Sequence, residues 1–163
     1  MAVRQKAKRK GGKYIRLGVY PVEEVLPLVF TKEVRKRLRE QGHGYTSEAW
    51  KAAASHRFWY SYTNSIVIPM GSHRYQLYAK KGCVCVRCGL VGKYFALEKG
   101  INDPHGKFHL NLYGILPNGG ERMLTKDHII PRSKGGKNRI ENYQPMCSRC
   151  NGKKADKLEV PSD

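Results

Sequence analysis

The chain has 163 residues, enough for one domain or for a compact domain with an extension, and enough to bury a modest core. Its 31 Lys and Arg against 13 Asp and Glu give a formal net charge of +18, which indicates a polyanionic partner such as nucleic acid. Because no apolar run approaches the roughly 18 residues of a membrane span and no signal-peptide pattern opens the chain, we expect a cytoplasmic protein with reduced cysteines and no membrane partner.

Composition divides the chain into three parts: a basic arm at residues 1–16, a module at residues 17–71 and a larger domain at residues 72–163. The arm has no acidic residue and little to bury, so we expect it to be flexible. Its charges could follow a DNA backbone or only increase solubility. The arm residues that we expect to contact nucleic acid are Arg4, Lys8, Arg9 and Lys10.

The second part is predicted to be a small helical module. Thr31 can cap a helix that Gly42 ends, and Thr46 or Ser47 can begin a second helix that extends to about Tyr60. Two helices joined by a short turn are similar in length to a helix-turn-helix, so the module could recognise DNA. Simple packing onto the rest of the chain is the alternative.

The third part is predicted to contain a hairpin followed by a helix. Asn118-Gly119 lies between two strand-like runs, which is a strong hairpin signal. Pro131 then favours the end of the second strand, because it cannot donate to a strand ladder. The predicted elements are a short helix at 75–79, strands at 94–97, 108–115 and 121–130, a polar loop at 132–139 and a helix at about 147–157.

Four of the five cysteines form two Cys-x-x-Cys pairs with the spacing of one tetrahedral zinc site, namely Cys85, Cys88, Cys147 and Cys150. Cys83 alternates with Cys85 on one face of a strand-like run, so it could compete as a ligand. We favour Cys85 because its two-residue spacer suits a tight knuckle and Gly89 can adopt the unusual backbone angles that follow. Unliganded core cysteines or a redox pair are the alternatives.

The last third of the chain carries Asp127-His128-Ile-Ile-Pro-x-x-x-Gly-Gly, then Asn142, then Cys147-x-x-Cys-Asn151-x-x-Lys. This pattern resembles the HNH endonucleases, in the branch with Asn rather than His at the third position and a four-cysteine zinc site. The similarity covers about residues 80–158 and is typical of bacterial, phage and mobile-element members. It implies an α+β protein, with a zinc-stapled ββα-metal nuclease domain at residues 72–163 in a bacterial or phage-infected cell.

The same residues suggest how phosphodiester hydrolysis could proceed. The Asp127 carboxylate and the Asn151 amide are hard oxygen ligands that could hold Mg²⁺ or Mn²⁺ and leave positions for phosphate. His128 could take a proton from the attacking water, and the family pattern implies the same role with 5′-phosphate and 3′-hydroxyl products. Asn142 would tie the loop so that His128 keeps its orientation. Adjacent strand residues point to opposite faces, so Asp127 and His128 can flank one phosphate only where the strand ends.

We therefore expect a metal-dependent endonuclease that acts on DNA, most simply on duplex DNA, with a homodimer as a candidate assembly for double-strand cleavage. Arg132, Lys134 and Lys154 are the expected phosphate contacts in the domain, although Lys154 could equally be solvated. Two other functions fit the sequence: a zinc-stabilised nucleic-acid-binding protein without turnover, and a nuclease directed at branched DNA or RNA. The catalytic set favours an enzyme, since binding alone does not require it.

Overall fold

The computed structural model describes residues 13–102 and 106–158. Two compact units divide the chain: residues 1–72 and 94–111 are assigned to the first, and residues 73–93 and 112–163 to the second. Helices and antiparallel strands occur in both, so the architecture mixes α and β. Residues 94–111 thus group with the N-terminal part of the chain. The domain limits expected from the sequence are continuous and place these residues in the C-terminal domain instead. Among the described residues, no helix is long and apolar enough to cross a membrane.

The strands of the first unit form two sheets. In one sheet, β1 (Tyr14–Pro21) pairs antiparallel with β4 (Gly92–Gly100), and the beginning of β5 (His109–Ile115) lies next to β4. In the other sheet, β2 (Ser55–Trp59) and β3 (Ser65–Pro69) form an antiparallel hairpin.

Short helices connect these strands. They are α1 (Val22–Val25), α2 (Lys32–Glu40) and α3 (Glu48–Ala54). The side-chain oxygens of Thr31 and Ser47 each accept a backbone N–H bond from the first turn of α2 and α3, at 3.3 and 3.2 Å. Both bonds satisfy donors that a helix start leaves unpaired. The two helix starts predicted from the sequence are therefore confirmed.

Aromatic contacts hold the first unit together. The rings of Phe30 and Trp50 meet edge-on with centroids 5.2 Å apart, and those of Tyr20 and Phe58 do so at 5.0 Å. Such pairs contribute about 0.5–1.5 kcal/mol beyond the burial of their area. The buried apolar side chains of this unit are Val25, Val29, Phe30, Phe58, Ile68, Met70, Phe95, Ala96, Leu97 and Leu110.

Two predictions for this region are wrong. The second helix does not reach Tyr60, because it ends at Ala54 and the chain continues as β2. There, hairpin pairing with β3 and the packing of Phe58 against Tyr20 outweigh local helix propensity. The basic arm does not extend to residue 16 either, because β1 begins at Tyr14 and Arg16 forms an ion pair with Glu98 at 3.0 Å. The module is therefore mixed rather than helical.

The second unit begins with α4 (His73–Lys81) and ends with α5 (Ser148–Lys154). Between them, the end of β5 pairs with β6 (Glu121–His128), and the turn at residues 116–120 closes the hairpin that Asn-Gly predicted. β6 also pairs antiparallel with β7 (Tyr143–Cys147). The chain then enters α5 directly, so α5 follows β7 without a loop and β7 pairs with β6.

The strand β7 was not predicted from the sequence. It has five residues, contains Pro145 and adjoins a cysteine pair, which together mask an alternating pattern. The predicted limits also differ: β6 ends at His128 rather than at about Ile130, and α5 ends at Lys154 rather than at Lys157. These shorter elements decide where the polar side chains at the end of β6 and on α5 lie.

Candidate active site and metal centre

Four cysteines from two segments meet in the second unit. Cys85 and Cys88 occupy a tight turn between the bridged residues 84 and 91, while Cys147 ends β7 and Cys150 lies in the first turn of α5. Their Sγ atoms all lie within 4.8 Å of one another. Gly89, which follows the turn, has φ +70°, the left-handed backbone expected of a glycine there.

The cluster fits a tetrahedral zinc ion. Thiolates about 2.3 Å from such an ion stand roughly 3.8 Å apart, and the Sγ atoms of Cys88 and Cys147 are 3.8 Å apart. Burial alone would raise the pKa of Cys85, but hydrogen bonds, led by the one from the Cys147 backbone, lower it to about 7. Burial raises the pKa of Cys150 to about 12. The four sulfur atoms can thus bind a metal such as zinc, which would take the place of the protons.

Cys83 lies outside this cluster. The side chain is buried, and burial raises its pKa to about 11. The backbone oxygen of Cys83 accepts a 2.7 Å bond from Gly92, which fixes the segment leading into the turn. The structure therefore places Cys85, and not Cys83, with the other three thiols.

A buried ion pair lies at the end of β6. Asp127 is 5% exposed and Lys154 on α5 is 1% exposed. The Lys154 Nζ is 3.0 Å from Asp127 Oδ2, and it also donates to the backbone oxygen of His128 at 2.6 Å. Gln144, the neighbour of Asp127 across the strand pair, donates its amide to the same carboxylate at 2.8 Å. Two donors hold the carboxylate, and its further lone pairs remain for another ligand.

His128 is held by an amide and an aromatic ring. Its Nε2 lies 2.8 Å from Oδ1 of Asn138, and its ring meets Tyr143 edge-on with centroids 4.8 Å apart. Because an amide oxygen can only accept, Nε2 carries the proton in this arrangement. A neutral imidazole then leaves Nδ1 as the nitrogen able to accept a proton.

Asn142 closes the loop that follows β6. It accepts from the backbone N–H of Ile130 at 2.9 Å and donates to the backbone oxygens of Ile130 and Lys137 at 3.0 and 3.1 Å. The loop passes so close that a Cβ on Gly136 would collide with the carbonyl oxygen of Ile130. Asn142 thus fastens both ends of this loop.

Asn151 is oriented by a chain of hydrogen bonds. The Thr125 hydroxyl donates to the backbone oxygen of Met146 at 2.8 Å, so its oxygen can only accept from Asn151 Nδ2, at 2.9 Å. The amide group is therefore fixed with its Nδ2 towards Thr125. Its Oδ1 is left to bind another partner.

Asp127, His128 and Asn151 border one cleft of about 350 Å³. Adjacent residues of a regular strand would face opposite sides, but β6 ends at His128, and both residues line the same cleft. The lining residues are Lys126, Asp127, His128, Pro131, Arg132, Ser133, Asn151, Ala155 and Asp156.

Residues 118–162 match the family model for HNH endonuclease. The match includes β6, β7 and α5 and excludes Cys85 and Cys88. No curated protein and no solved structure matches the chain. The resemblance drawn from the motif is confirmed, and the matched family consists of nucleases, whose substrates are nucleic acids.

The residues expected to bind nucleic acid fall in different places. Arg132 lines the cleft of the HNH segment, whereas Lys134 lies exposed in the following loop. Lys154 does not match either expectation, because its ammonium is enclosed by Asp127 and the backbone of His128 and is neither solvated nor open to phosphate. The arm residues Arg4, Lys8, Arg9 and Lys10 lie outside the described residues.

Four residues that contact the site were not predicted from the sequence: Thr125, Asn138, Gln144 and Lys154 in its buried role. A signal existed only for Lys154, which follows Cys150 by four positions and therefore lies on the same helical face. Gln144 could be found only with β7 in place, and Asn138 reaches His128 through a loop without periodicity.

Proposed function

We propose that the second unit is a metal-dependent endonuclease that hydrolyses DNA phosphodiester bonds. One observation carries the proposal: Asp127, His128 and Asn151 border a single cleft inside the segment that matches the HNH family. On this proposal, β6, β7 and α5 are the ββα-metal unit, and the four-cysteine cluster is its zinc staple. Zinc at Cys150 would hold the next residue, Asn151, at the first turn of α5.

The oxygen ligands suit a hard divalent ion. The Asp127 carboxylate and the Asn151 Oδ1, left unused by the bond to Thr125, would bind Mg²⁺ or Mn²⁺. The bound ion would stabilise negative charge on the scissile phosphate and on the leaving 3′ oxygen. The carboxylate already sits where desolvation strengthens its attraction for a cation, and Gln144 keeps its orientation.

His128 would act as the general base. With Nε2 bonded to Asn138, Nδ1 takes a proton from water as the water oxygen bonds to phosphorus and the bond to the 3′ oxygen breaks. The leaving oxygen acquires a proton from solvent. The products are a 5′-phosphate and a 3′-hydroxyl, as the family resemblance implies. Asn142 serves this step indirectly, by fastening the loop that carries Asn138.

Lys154 is the positioning residue of the site. One ammonium bonds both the Asp127 side chain and the His128 backbone, so the metal ligand and the base are held by the same group. Its charge also keeps the buried carboxylate compensated before a metal arrives, which avoids the large cost of an unpaired buried charge.

Substrate phosphate would meet the basic rim of the cleft. Arg132 lines the cleft, Lys134 follows it in the loop, and the net charge of +18 attracts DNA from a distance. These side chains would contact the phosphates beside the scissile bond. Such contacts do not depend on the base sequence.

The Asp127–Lys154 ion pair also favours a second candidate function. The Asp127 carboxylate already has the Lys154 ammonium as its cation, so it does not require a metal ion. This is expected of a zinc-stabilised protein that binds nucleic acid without cleaving it. Turnover distinguishes the two.

Supercoiled plasmid with Mg²⁺ provides the test. The wild type should nick or linearise the plasmid, whereas His128→Ala should lose at least about a hundredfold in rate and still bind DNA. His43→Ala, which removes a histidine from the turn after α2, is the matched control and should cleave like the wild type. Equal cleavage by the His128→Ala protein would remove His128 from the mechanism, and no cleavage by the wild type on plasmid, branched or single-stranded DNA would favour the binding protein.

A further inference from the structure

The β2–β3 hairpin of the first unit has two different faces. Phe58 and Ile68 are buried on one face. The other face exposes Arg57, Trp59 and Val67, with Arg57 opposite Val67 in the strand pairing. Trp59 keeps 51% of its surface exposed, although it is among the most costly side chains to leave in water.

The tip of the hairpin presents a second aromatic side chain. Tyr62 is 91% exposed, the highest value among the large apolar and aromatic side chains of the described residues. The turn beneath it is closed by bonds from Tyr60 N to Asn64 O at 3.1 Å and from Asn64 N to Ser61 Oγ at 3.0 Å. The aromatic group therefore stands on an ordered turn.

The base of the exposed face is also fixed. The Tyr20 hydroxyl donates to the backbone oxygen of Trp59 at 2.7 Å, and the Tyr20 ring packs against Phe58. Arg57 donates to Ser65 Oγ at 2.9 Å, which holds its guanidinium 6.0 Å from the centre of the Trp59 ring. The aromatic and cationic groups are thus arranged before any partner binds, which lowers the entropy lost on binding.

Charge identifies the kind of partner. From Ala49 to Leu97 the sequence has no acidic residue, so the hairpin itself carries no carboxylate that would attract a basic partner or repel a phosphate. Glu24, whose charge acts on Tyr20 at the base of the face, belongs to α1. Aromatic rings beside a guanidinium on a basic protein are the combination that binds single strands, through base stacking and phosphate contact. The bases of a duplex stack on one another and present no free face to such rings.

We propose that this hairpin face binds single-stranded DNA, with Trp59 and Tyr62 stacking on unpaired bases and Arg57 contacting a phosphate. The choice of DNA rests on the proposed function, since the hairpin chemistry also suits RNA. The surface lies in the first unit and outside the segment that matches the HNH family. The natural substrate would then contain unpaired bases, as gapped DNA or DNA with a single-stranded branch does.

Binding should be measured in the His128→Ala background, so that the probes stay intact. Fluorescence anisotropy would compare labelled oligodeoxythymidine of about 16 nucleotides with a duplex of equal length and with oligouridine. Trp59→Ala and Tyr62→Ala should each weaken single-strand binding by about 5- to 150-fold, the equivalent of one lost stacked base. Duplex binding should stay unchanged, and Trp59→Phe should retain most of the affinity.

Tyr45→Ala is the matched control, because Tyr45 is 78% exposed but lies in the turn between α2 and α3. Unchanged single-strand affinity in both hairpin variants would overturn the proposal and leave a protein as the partner of this face. Equal losses on duplex and single strand would also overturn it, as would tighter binding of oligouridine. Because Tyr62 is almost fully exposed, its removal cannot act through unfolding. Plasmid cleavage by the unaltered protein tests the nuclease proposal separately, so either proposal can fail alone.

Discussion

The ammonium of Lys154 joins the Asp127 carboxylate, at 3.0 Å, to the backbone oxygen of His128, at 2.6 Å. The two residues that we assign to metal binding and proton transfer thus depend on one cation from the facing helix. Removing this cation leaves a carboxylate 5% exposed without its ionic partner, and breaking such a pair costs about 3–5 kcal/mol.

Lys154→Met should therefore lower the free energy of unfolding by about that amount and abolish most cleavage. Mg²⁺ should stabilise this variant more than the wild type, because the bound ion would replace the missing positive charge. Thermal denaturation with and without Mg²⁺ measures the loss of stability and the stabilisation by the ion. Lys153→Met, on the exposed neighbour, should change neither. If Mg²⁺ stabilises both proteins equally, the ion does not bind at Asp127.

Asn138 should act through the orientation of His128. Asn138→Ala removes the acceptor of Nε2, so the ring loses its fixed tautomer and the cleavage rate falls, by less than the hundredfold or more expected for His128→Ala. Asn138→Asp keeps an acceptor at the same distance and should recover most of the rate. Single-turnover cleavage separates this loss from weaker DNA binding, and a rate unaffected by Asn138→Ala would contradict the proposed role.

The four-cysteine cluster should contribute to folding itself. Cys150→Ser should lose zinc and unfold, because the binding energy of structural zinc in small peptides, about 10–16 kcal/mol, is as large as the whole stability of a typical domain. Cys83→Ser is the control and should keep one zinc per chain, since Cys83 lies outside the cluster. Elemental analysis of the purified proteins decides, and a folded wild type without zinc would refute the assignment.

Thr125 should influence the metal through Asn151. Thr125→Val preserves shape but removes the oxygen that accepts from Asn151 Nδ2, so the amide can rotate and the Mg²⁺ concentration required for cleavage should rise. Asn151→Ala should have a larger effect, while Asn151→His should shift the preference towards softer ions such as Ni²⁺ or Co²⁺. Cleavage titrations with each ion test this order. A wild-type Mg²⁺ requirement in Asn151→Ala would exclude Asn151 as a ligand.

Local chemistry explains which features the sequence predicts. The caps at Thr31 and Ser47, the turn after Asn118 and the four-cysteine spacing each depend on a few neighbouring residues, and the structure contains all of them. The strand β7 depends instead on its pairing with β6, and β2 depends on its pairing with β3 and on the contact of Phe58 with Tyr20. The residues of β2 also suit a helix, so their own sequence does not reveal the strand that pairing with β3 forms. The strand β7 is too short to show an alternating apolar pattern.

The candidate site shows the same division. The motif predicts Asp127, His128, Asn142 and Asn151 as a group, because their spacing is that of the HNH pattern. It does not predict that Lys154 turns inward, since a lysine at the end of a short helix is usually solvated. Only the proximity of α5 to the end of β6 makes burial of its charge favourable.

Asn142 divides the loop after β6 into a fixed base and a variable tip. Because its amide spans Ile130 and Lys137, residues 132–135 project from a closed ring whose ends cannot separate. Changes of side chain at residues 132–134 should therefore leave the ring intact, provided that Gly136 and Gly135, which has φ +81°, are kept. On the proposed function, these three positions are a suitable place to introduce new DNA contacts, so that cleavage preference could be altered beside an unchanged candidate site.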